Sequence, residues 1–513
     1  MEGFPTEEVF RLCSYGNEDY AYISWLTSCF NVVWLKDNTV EYIRYPGSHF
    51  ERQLQRWQQP PGSYQETISN EDQEYLLEIE QIIKNKQQAL VEKLQVSAKA
   101  DYFLNLGNQA FHQGNLNKAE HYYKHSLLLN PDLLTAWYNL GVTYLEQEAI
   151  EAAEIILTKV VNLEPNHAEA YNNLGNIANK RNQLPVAVNY YRQALQRRYQ
   201  FPDAHFNLGM TLLKMGELIE GWAESEWRWQ REDFTPVECP QPRWQGEDLP
   251  NSNILVHTEQ GAGDAIQFSR YLPLVAKKCR EVILCCPENL VRLFQTIPEV
   301  SQVYTPGKIP LDIFTVYSPL MSLPHCFSTD LTNIPADIPY LGVGLENEQL
   351  RAKLSKMISN NSRTKVGIVW GGSPTHKNDR HRSSHLLDWL PVLGLEGIDF
   401  YSLQKGPQAS QIAQLPPEIQ LTDLSNYLGD YADTAIALDY VDLVIGVDTS
   451  VVHLAGALGK PVWTLLSYYH DWRWLCDRTD SPWYPTMRLF HQSKPKDWSE
   501  VMIMVKNSLG SEE

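Results

Sequence analysis

The chain contains 513 residues, of which 43% are hydrophobic and 20% charged, and its formal net charge is −19. This length is enough for about two to four domains, each with its own hydrophobic core. The negative charge argues against a general binder of nucleic acid or of anionic membranes, although it is compatible with a local basic pocket for a nucleotide. The eight cysteines are scattered and form no C-x-x-C pair, so disulfide bonds and structural zinc are not expected.

The N-terminal segment has no recognisable targeting signal. Its first ten residues, MEGFPTEEVF, lack a basic stretch followed by an apolar one, so a signal peptide is not expected. No apolar run in the sequence approaches the ~20 residues that a membrane-spanning helix needs. We therefore predict a cytoplasmic protein. Residues 1–65 form an N-terminal region whose aromatic-rich sequence contains no motif that indicates a fold.

Residues 66–238 have the apolar periodicity of helices. Between residues 70 and 96, leucine and isoleucine recur at helical spacings among Glu, Gln and Lys, which predicts an amphipathic helix. From about 100 to 235 the triplet Asn-Leu-Gly recurs with a period of 34 residues, which indicates stacked helix pairs. This region resembles the tetratricopeptide repeat family. Its fourth repeat carries Gly221 in place of an alanine and the unusual segment EGWAESEWRW, and we expect it to be a cap.

The asparagine of each triplet falls at one position of the first helix in its repeat. Stacking would align these residues as a ladder along one surface: Asn105, Asn139, Asn173 and Asn207. An asparagine side chain both donates and accepts hydrogen bonds, which suits the capture of an extended peptide backbone. The repeats resemble the superhelix of O-GlcNAc transferases, in which such a ladder holds protein substrates, and this implies acceptor binding here. The alternative is a solvated polar position that helix packing tolerates.

After a linker at 239–250, strand-like runs alternate with helical segments, the pattern of parallel α/β layers. We expect a first lobe over 250–345 and a second over 363–510. The stretch DLVIGVDTSVVHLAGALGKPVWTLL, residues 442–466, has the pattern of a strand, a turn, a helix and a second strand. The N-terminus of such a helix favours a phosphate. On spacing alone, a plain packing unit with a capped helix is an equal alternative.

Four motifs in these lobes together resemble glycosyltransferase family 9, which includes the bacterial heptosyltransferases. They are TEQGAGDAIQFSRYLPLV (258–275), WGGSPTHKNDRHRSS (370–384), SLQKG (402–406) and GVDTSVVHLAGALGKPVW (446–463). The resemblance covers about residues 250 to 490 and implies a GT-B fold, in which two Rossmann-like lobes enclose a cleft. It also implies an inverting transfer of a sugar from a nucleotide-sugar, with no metal and no cofactor.

Asp264 matches the aspartate of the family's Gly-Asp loop in the first lobe. The resemblance implies that Asp264 is the general base, which takes the proton of the acceptor hydroxyl. An aspartate directly before a predicted helix would also cap that helix, which is the alternative role. Gly261 and Gly263 would let the backbone of the loop approach the substrate closely.

In the second lobe, Asp448, Thr449, Ser450 and His453 match the family's D-[ST]-x-x-x-H segment. The resemblance implies that Thr449, Ser450 and nearby N–H groups hold the donor diphosphate, with assistance from His453. Asp448 would then accept hydrogen bonds from sugar or ribose hydroxyls.

The remaining predicted contacts come from the loops that follow two other strands. Arg382 lies near the position of a basic phosphate contact in heptosyltransferases, and Arg380 is a close competitor. Gln404 and Lys405 follow a predicted strand and would contact the nucleotide, because ligands gather at strand ends in open α/β sheets. The backbone of Gly371 and Gly372 would shape the floor of the same cleft.

The sequence therefore predicts a helical repeat superhelix followed by a pair of α/β lobes, acting as a glycosyltransferase on a protein or peptide acceptor. Two alternatives stay open. One is a catalytically silent scaffold whose repeats bind partner proteins. The other is a transferase with a lipid or glycan acceptor, in which the repeats serve complex assembly.

Overall fold

The computed structural model describes residues 32–34, 40–42, 70–235, 239–344, 347–358, 360–374 and 379–510. The chain divides into two compact units, Met1–Gln95 and Val96–Glu513. In the first unit, β1 (Val32–Trp34) pairs antiparallel with β2 (Val40–Tyr42). The rest of the N-terminal region expected over 1–65 lies outside the described residues.

The helical part begins with a single long helix. The amphipathic helix expected between residues 70 and 96 is the first part of α1, which runs to the first repeat without a break because this segment contains no proline. Seven further helices follow in antiparallel pairs. The bounds of this series are α1 Asn70–His112, α2 Leu116–Leu129, α3 Leu134–Glu146, α4 Ile150–Leu163, α5 Ala168–Lys180, α6 Leu184–Arg197, α7 Pro202–Met215 and α8 Leu218–Ser225.

The glycine of each Asn-Leu-Gly triplet marks the point of closest helix contact. A Cβ atom on Gly107 would lie 2.4 Å from the ring of Tyr123, and one on Gly175 would lie 2.4 Å from the ring of Tyr191. Only glycine leaves room for these buried side chains of the second helix. The period of 34 residues thus reflects a repeated packing contact.

The fourth repeat merges with the first lobe. Leu213, Leu218 and Trp222 belong to the same buried cluster as Phe268 and other core residues of that lobe. The indole of Trp222 packs edge-on against Phe268 and donates a hydrogen bond to the carbonyl of Thr329 at 3.0 Å. The last repeat therefore supplies one side of the core of the lobe.

The first lobe is built on a parallel sheet of four strands in the order β5-β4-β3-β6. Its strands and helices are β3 Leu249–His257, α9 Ala262–Phe268, α10 Leu272–Ala276, β4 Cys279–Cys285, α11 Glu288–Phe294, β5 Val300–Tyr304, β6 Val316–Pro319 and α12 Leu323–Cys326. The apolar pattern of Ala265–Lys278 predicts a single helix. The structure instead has a 3-10 turn between α9 and α10, and Pro273 occupies the first turn of α10, where it needs no N–H partner.

The second lobe contains six parallel strands in the order β12-β11-β10-β7-β8-β9. Its elements are α13 Glu348–Met357, β7 Thr364–Val369, α14 Asp379–Arg382, α15 Leu390–Leu393, β8 Ile398–Ser402, β9 Leu421–Asp423, α16 Tyr431–Asp439, β10 Leu443–Val447, α17 Ser450–Ala457, β11 Val462–Leu466, β12 Met487–His491 and α18 Ser499–Gly510. Chain order reverses between the adjacent strands β7 and β10, which is the point where ligands bind in doubly wound sheets.

The predicted fold class is confirmed: helical repeats precede two α/β lobes with parallel sheets. Buried arginine side chains join the lobes. Arg270 of the first lobe donates to the carbonyl of Trp483 at 2.5 Å and to the hydroxyl of Tyr340 at 3.0 Å. None of the helices in the described ranges is long and apolar enough to cross a membrane.

Candidate functional site

A cavity of about 970 Å³ lies between the two lobes, at the carboxyl ends of their parallel strands. The loop after β3 contributes its wall from the first lobe. The loops after β7, β8, β10 and β11 contribute the opposite walls from the second lobe. All of the predicted catalytic, cleft and donor-binding residues line this cavity: Gly261, Gly263, Asp264, Gly371, Gly372, Arg382, Gln404, Lys405, Asp448, Thr449, Ser450 and His453.

Asp264 makes two interactions at the start of α9. Its Oδ2 accepts a hydrogen bond from the backbone N–H of Gly261 at 2.9 Å, so the carboxylate caps its own helix. Its Oδ1 accepts from the guanidinium of Arg473, which belongs to the second lobe. The preceding Gln260 has a φ of +58°, in the left-handed region that non-glycine residues rarely adopt. The capping role is thus present, and the role of general base stays a prediction.

Gly263 brings the loop of the first lobe against a helix of the second. A Cβ atom at this position would lie 3.1 Å from Cδ2 of His453 and 3.5 Å from Cα of Ser450. The absence of a side chain therefore lets the Gly-Asp loop approach the N-terminus of α17.

The N-terminus of α17 faces the cavity. Thr449 is its N-cap residue but makes no side-chain capping bond, and its buried hydroxyl has no partner among the described residues. The hydroxyl of Ser450 is hydrogen-bonded to that of Tyr431 at 2.7 Å. A polar group that is buried without a partner is costly, so the Thr449 hydroxyl is available to a ligand.

Asp448 and His453 form a connected pair. The His453 Nε2 lies 3.6 Å from Oδ1 of Asp448, and the indole of Trp474 donates to Oδ2 at 2.9 Å. Burial by itself would raise the pKa of Asp448, but the interactions with His453, Trp474 and Arg473 outweigh it and lower that pKa to about 2. Asp448 is therefore an ionised acceptor at neutral pH.

Tyr484 orients the imidazole of His453 from the side away from Asp448. Its hydroxyl lies 3.0 Å from Nδ1 of His453. A Cβ atom on Gly456 would lie 2.5 Å from the ring of Tyr484, so the glycine in α17 allows this tyrosine to pack closely. The ring of Trp474 stacks on the imidazole with centroids 5.3 Å apart.

Arg473 is a functional candidate that sequence reasoning missed. It lies in the 3-10 turn Trp472–Trp474 after β11 and donates to Asp471 Oδ1 at 2.6 Å, as well as to Asp264. Burial would lower the pKa of Arg473, but the charges of the surrounding aspartates raise it above the usual value. The available signal was an arginine between two tryptophans, in the loop that follows a buried strand.

Gln404 and Lys405 line the floor with their polar groups already engaged. The Gln404 Oε1 accepts from the backbone N–H of Trp370 at 3.0 Å and of Gly371 at 2.8 Å. Its Nε2 donates to the carbonyl of Gly371 at 2.9 Å, and the ammonium of Lys405 donates to the carbonyl of Leu428. In this structure both side chains hold the shape of the floor.

The structure separates the two arginines that competed for the phosphate contact. Arg382 lines the cavity and donates to Asp379 at 3.3 Å. Arg380 forms an ion pair with Glu148 of the repeats at 2.7 Å and is absent from the cavity lining. Gly372 lies so close to Arg382 that a Cβ atom would approach Nη2 to 2.5 Å. Geometry therefore favours Arg382 over Arg380.

The asparagines of the ladder lie on the first helices of successive repeats, and three of them contact a preceding repeat. Asn139 donates to Asn108 at 2.8 Å, and Asn173 donates to the hydroxyl of Tyr138 at 3.3 Å. Asn207 donates to the side chain of Asn172 at 3.0 Å. Asn105 is exposed and the other three are partly exposed, so these positions keep some polar surface open, and their role as a peptide-binding ladder stays a prediction.

Within the described ranges, no group of three or more His, Cys, Asp or Glu side chains is arranged to hold a metal ion.

Comparison with known families identifies the helical part. Two tetratricopeptide repeat models match this chain, over residues 110–177 and 167–198. Residues 110–198 are tetratricopeptide repeats. These matches leave the α/β lobes without a family assignment, so the resemblance to glycosyltransferase family 9 stays a prediction.

The similar proteins match different shares of this chain. Protein FlbA of Caulobacter vibrioides is 25% identical over 417 residues, which are 75% of this chain and 68% of FlbA. The human protein O-mannosyl-transferase TMTC3 is 28% identical over 132 residues, 23% of this chain and 14% of TMTC3. A structure of a mutant Thermobaculum terrenum O-GlcNAc transferase matches 81% of this chain and 91% of its own, with 14% identity and a TM-score of 0.30.

Proposed function

We propose that this protein is a glycosyltransferase that moves a sugar from a nucleotide-sugar to a hydroxyl of a protein or peptide. One observation carries the proposal. A single cavity receives Asp264 from the first lobe and the segment from Asp448 to His453 from the second. A carboxylate and an anion-binding helix N-terminus in one cavity are what an acceptor and a diphosphate donor need.

The reaction would be a single displacement at the anomeric carbon. The acceptor oxygen forms a bond to this carbon while the bond from the carbon to the diphosphate oxygen breaks, so the anomeric configuration inverts. Asp264 takes the proton of the acceptor hydroxyl. The negative charge goes to the nucleoside diphosphate, where the N-terminus of α17 and the Arg382 guanidinium stabilise it. Asp448 accepts hydrogen bonds from hydroxyls of the donor.

Recruitment of a protein acceptor is supported by the position of the repeats. Their ladder asparagines keep polar groups partly exposed on the first helices. The ends of these helices reach the second lobe, since Glu148 pairs with Arg380 and the buried Lys214 lies within electrostatic range of Asp471 at the rim of the cavity. A peptide held by the repeats would therefore lie on the same body as the cavity.

The donor is tested by isothermal titration against a panel of nucleotide-sugars, together with mass spectrometry of released nucleoside diphosphate. We expect at least one donor to bind and to release its nucleotide when an acceptor is added. Asp264→Asn should abolish transfer because the proton acceptor is lost, while the variant still binds nucleotide. If no donor binds, the protein is a repeat scaffold without transferase activity. Transfer that persists in Asp264→Asn would remove this residue as the base.

A further inference from the structure

The guanidinium of Arg473 is shared among groups of both lobes. It donates to Asp264 of the first lobe, to Asp471 at 2.6 Å and to Gln267 at 2.6 Å. Only 9% of this residue is exposed, yet it lines the cavity. Because guanidinium–carboxylate contacts are strong when sheltered from water, the pair with Asp264 is the main polar link across this part of the cleft.

The charges around the α17 N-terminus are unfavourable to a diphosphate as they stand. Three carboxylates line this part of the cavity, those of Asp264, Asp448 and Asp471. Arg473 is the guanidinium among them, whereas Arg382 on the other wall is paired with Asp379. An incoming diphosphate would meet these carboxylates, and Arg473 is the group that can offset their charge.

The same contact limits Asp264. With the Arg473 guanidinium on Oδ1, an acceptor hydroxyl must displace this contact to reach that oxygen. The second oxygen of Asp264 is held by the backbone N–H of Gly261. Each oxygen of Asp264 therefore already accepts a hydrogen bond in the structure, although the proposed reaction requires one of them to receive a proton.

We propose that Arg473 is a switching counter-ion, which neutralises Asp264 in the empty site and transfers to the donor diphosphate when the donor binds. This inference rests on the proposed function. Donor binding then supplies a cation to the leaving group and frees Asp264 at the same moment. The base becomes available only when a donor is in place, so the donor binds before the reactive acceptor.

Arg473 has an anchor besides Asp264, in the carboxylate of Asp471. The Oδ1 of Asp471 accepts hydrogen bonds from the backbone N–H of Arg473 at 3.1 Å and from its Nη1. These bonds to Asp471 remain when the contact with Asp264 is released. The proposed diphosphate site is close to Arg473, because Asp448, the residue before Thr449, lies within electrostatic range of this guanidinium.

A double-mutant cycle on nucleoside diphosphate affinity tests the switch. Isothermal titration with UDP, GDP, ADP and CDP first finds the nucleotide that the wild-type protein binds. Arg473→Gln should weaken this nucleotide about tenfold, and Asp264→Asn should strengthen it about tenfold, because Asp264 no longer competes for the arginine. In the Arg473→Gln background, Asp264→Asn should strengthen binding much less than tenfold, because only the repulsion from the carboxylate is then removed and no arginine is released. Arg473→Lys, which keeps the charge, should restore most of the affinity.

The cycle separates the switch from simpler explanations. If Asp264 only repelled the diphosphate, its removal would raise the affinity equally in both backgrounds, which would overturn the switch but leave the donor function standing. An unchanged affinity in Asp264→Asn would also overturn the switch and leave the donor function standing. If the wild-type protein binds none of the four nucleotides, the donor function and the switch both fail. Arg478 and Asp480 form a matched exposed pair at 2.6 Å, and their variants should leave the affinity unchanged. Thermal unfolding checks that every variant is folded.

Discussion

Asp448 is a buried carboxylate that stays ionised because its neighbours outweigh the cost of burial. Its pKa falls from 3.8 to about 2 in the folded protein. A lowered pKa means that the ionised form stabilises the fold above the pKa of the unfolded chain, and that this contribution disappears as the pH falls towards 2. A difference of this size corresponds to about 2 kcal/mol at neutral pH.

Asp448→Asn should therefore lower the free energy of unfolding by about 2 kcal/mol at pH 7. Asparagine keeps an acceptor for the indole of Trp474, so the change removes mainly the charge. The gap between variant and wild type should narrow as the pH falls from about 4 to 2. Urea unfolding at pH 7 and pH 3 measures this difference in the free energy of unfolding. An equal difference at both pH values would contradict the role of the charge.

Gly372 provides a second prediction for a single residue. A Cβ atom there would lie 2.5 Å from Nη2 of Arg382 and 2.7 Å from Oδ1 of Asp379, so Gly372→Ala must displace the arginine. Because both contacts are with the ends of flexible side chains, the change should cost little stability, and we expect nucleoside diphosphate affinity to fall about tenfold. Gly394→Ala is the matched control, since its Cβ would have only an ordinary contact at 3.4 Å. Equal titration curves for both variants would remove Arg382 from the donor site.

Secondary structure elements were the most predictable level. The buried strand Leu443–Val447 and the helix Ser450–Ala457 follow from an apolar run, a short polar turn and a glycine stop, and they lie where the sequence indicates. The glycines that recur every 34 residues likewise mark, in the sequence, the places where the helices of each repeat touch. The break between α9 and α10 was missed because the apolar pattern continues across it, while Pro273 acts only through its missing N–H.

The repeat helices yield a prediction about acceptors. Asn139→Ala combined with Asn173→Ala should raise the KM for a protein acceptor about tenfold, since two hydrogen-bonding groups are lost at about 0.5–1.5 kcal/mol each. Hydrolysis of the donor by water should not change. Asn162 and Asn189 are exposed asparagines on the second helices of two repeats, and their double replacement by alanine is the matched control. An unchanged KM in the ladder variant would exclude the ladder, and a lipid or glycan acceptor would then be preferred.

In the molecule as a whole, the sequence could not show which distant residues meet. The motifs indicated that Asp264 and the segment around Asp448 lie in one cleft, because each follows a strand of a parallel sheet. They gave no indication of Arg473, which pairs with Asp264 across a separation of 209 residues. Such a pair depends on how two lobes pack, and no local pattern of the chain records that packing.

The shared core predicts that repeats and lobes unfold together. Trp222 of α8 packs edge-on against Phe268, Trp472 and Trp483, at centroid distances of 6.1, 5.2 and 6.3 Å. Trp222→Ala should cost about 3–5 kcal/mol and destabilise repeats and lobes alike. Far-UV and near-UV circular dichroism during urea unfolding should give one common transition in wild type and variant. Two separate transitions, with only the lobes shifted, would show that the repeats fold independently.

The junction also involves buried charges. Arg228, just after α8, pairs with Glu259 at 3.0 Å, and Glu259 lies directly before the residues Gln260 and Gly261 that border the cavity. The last repeat thus anchors the segment that leads to Asp264. This has a consequence for protein engineering. A chimera that exchanges the repeats to change the acceptor should be joined before α7, so that the native segment from Pro202 to Asp264 travels with the lobes. A joint placed at the linker around residue 240 would look natural in the sequence, but it would separate Arg228 from Glu259 and leave a buried carboxylate unpaired.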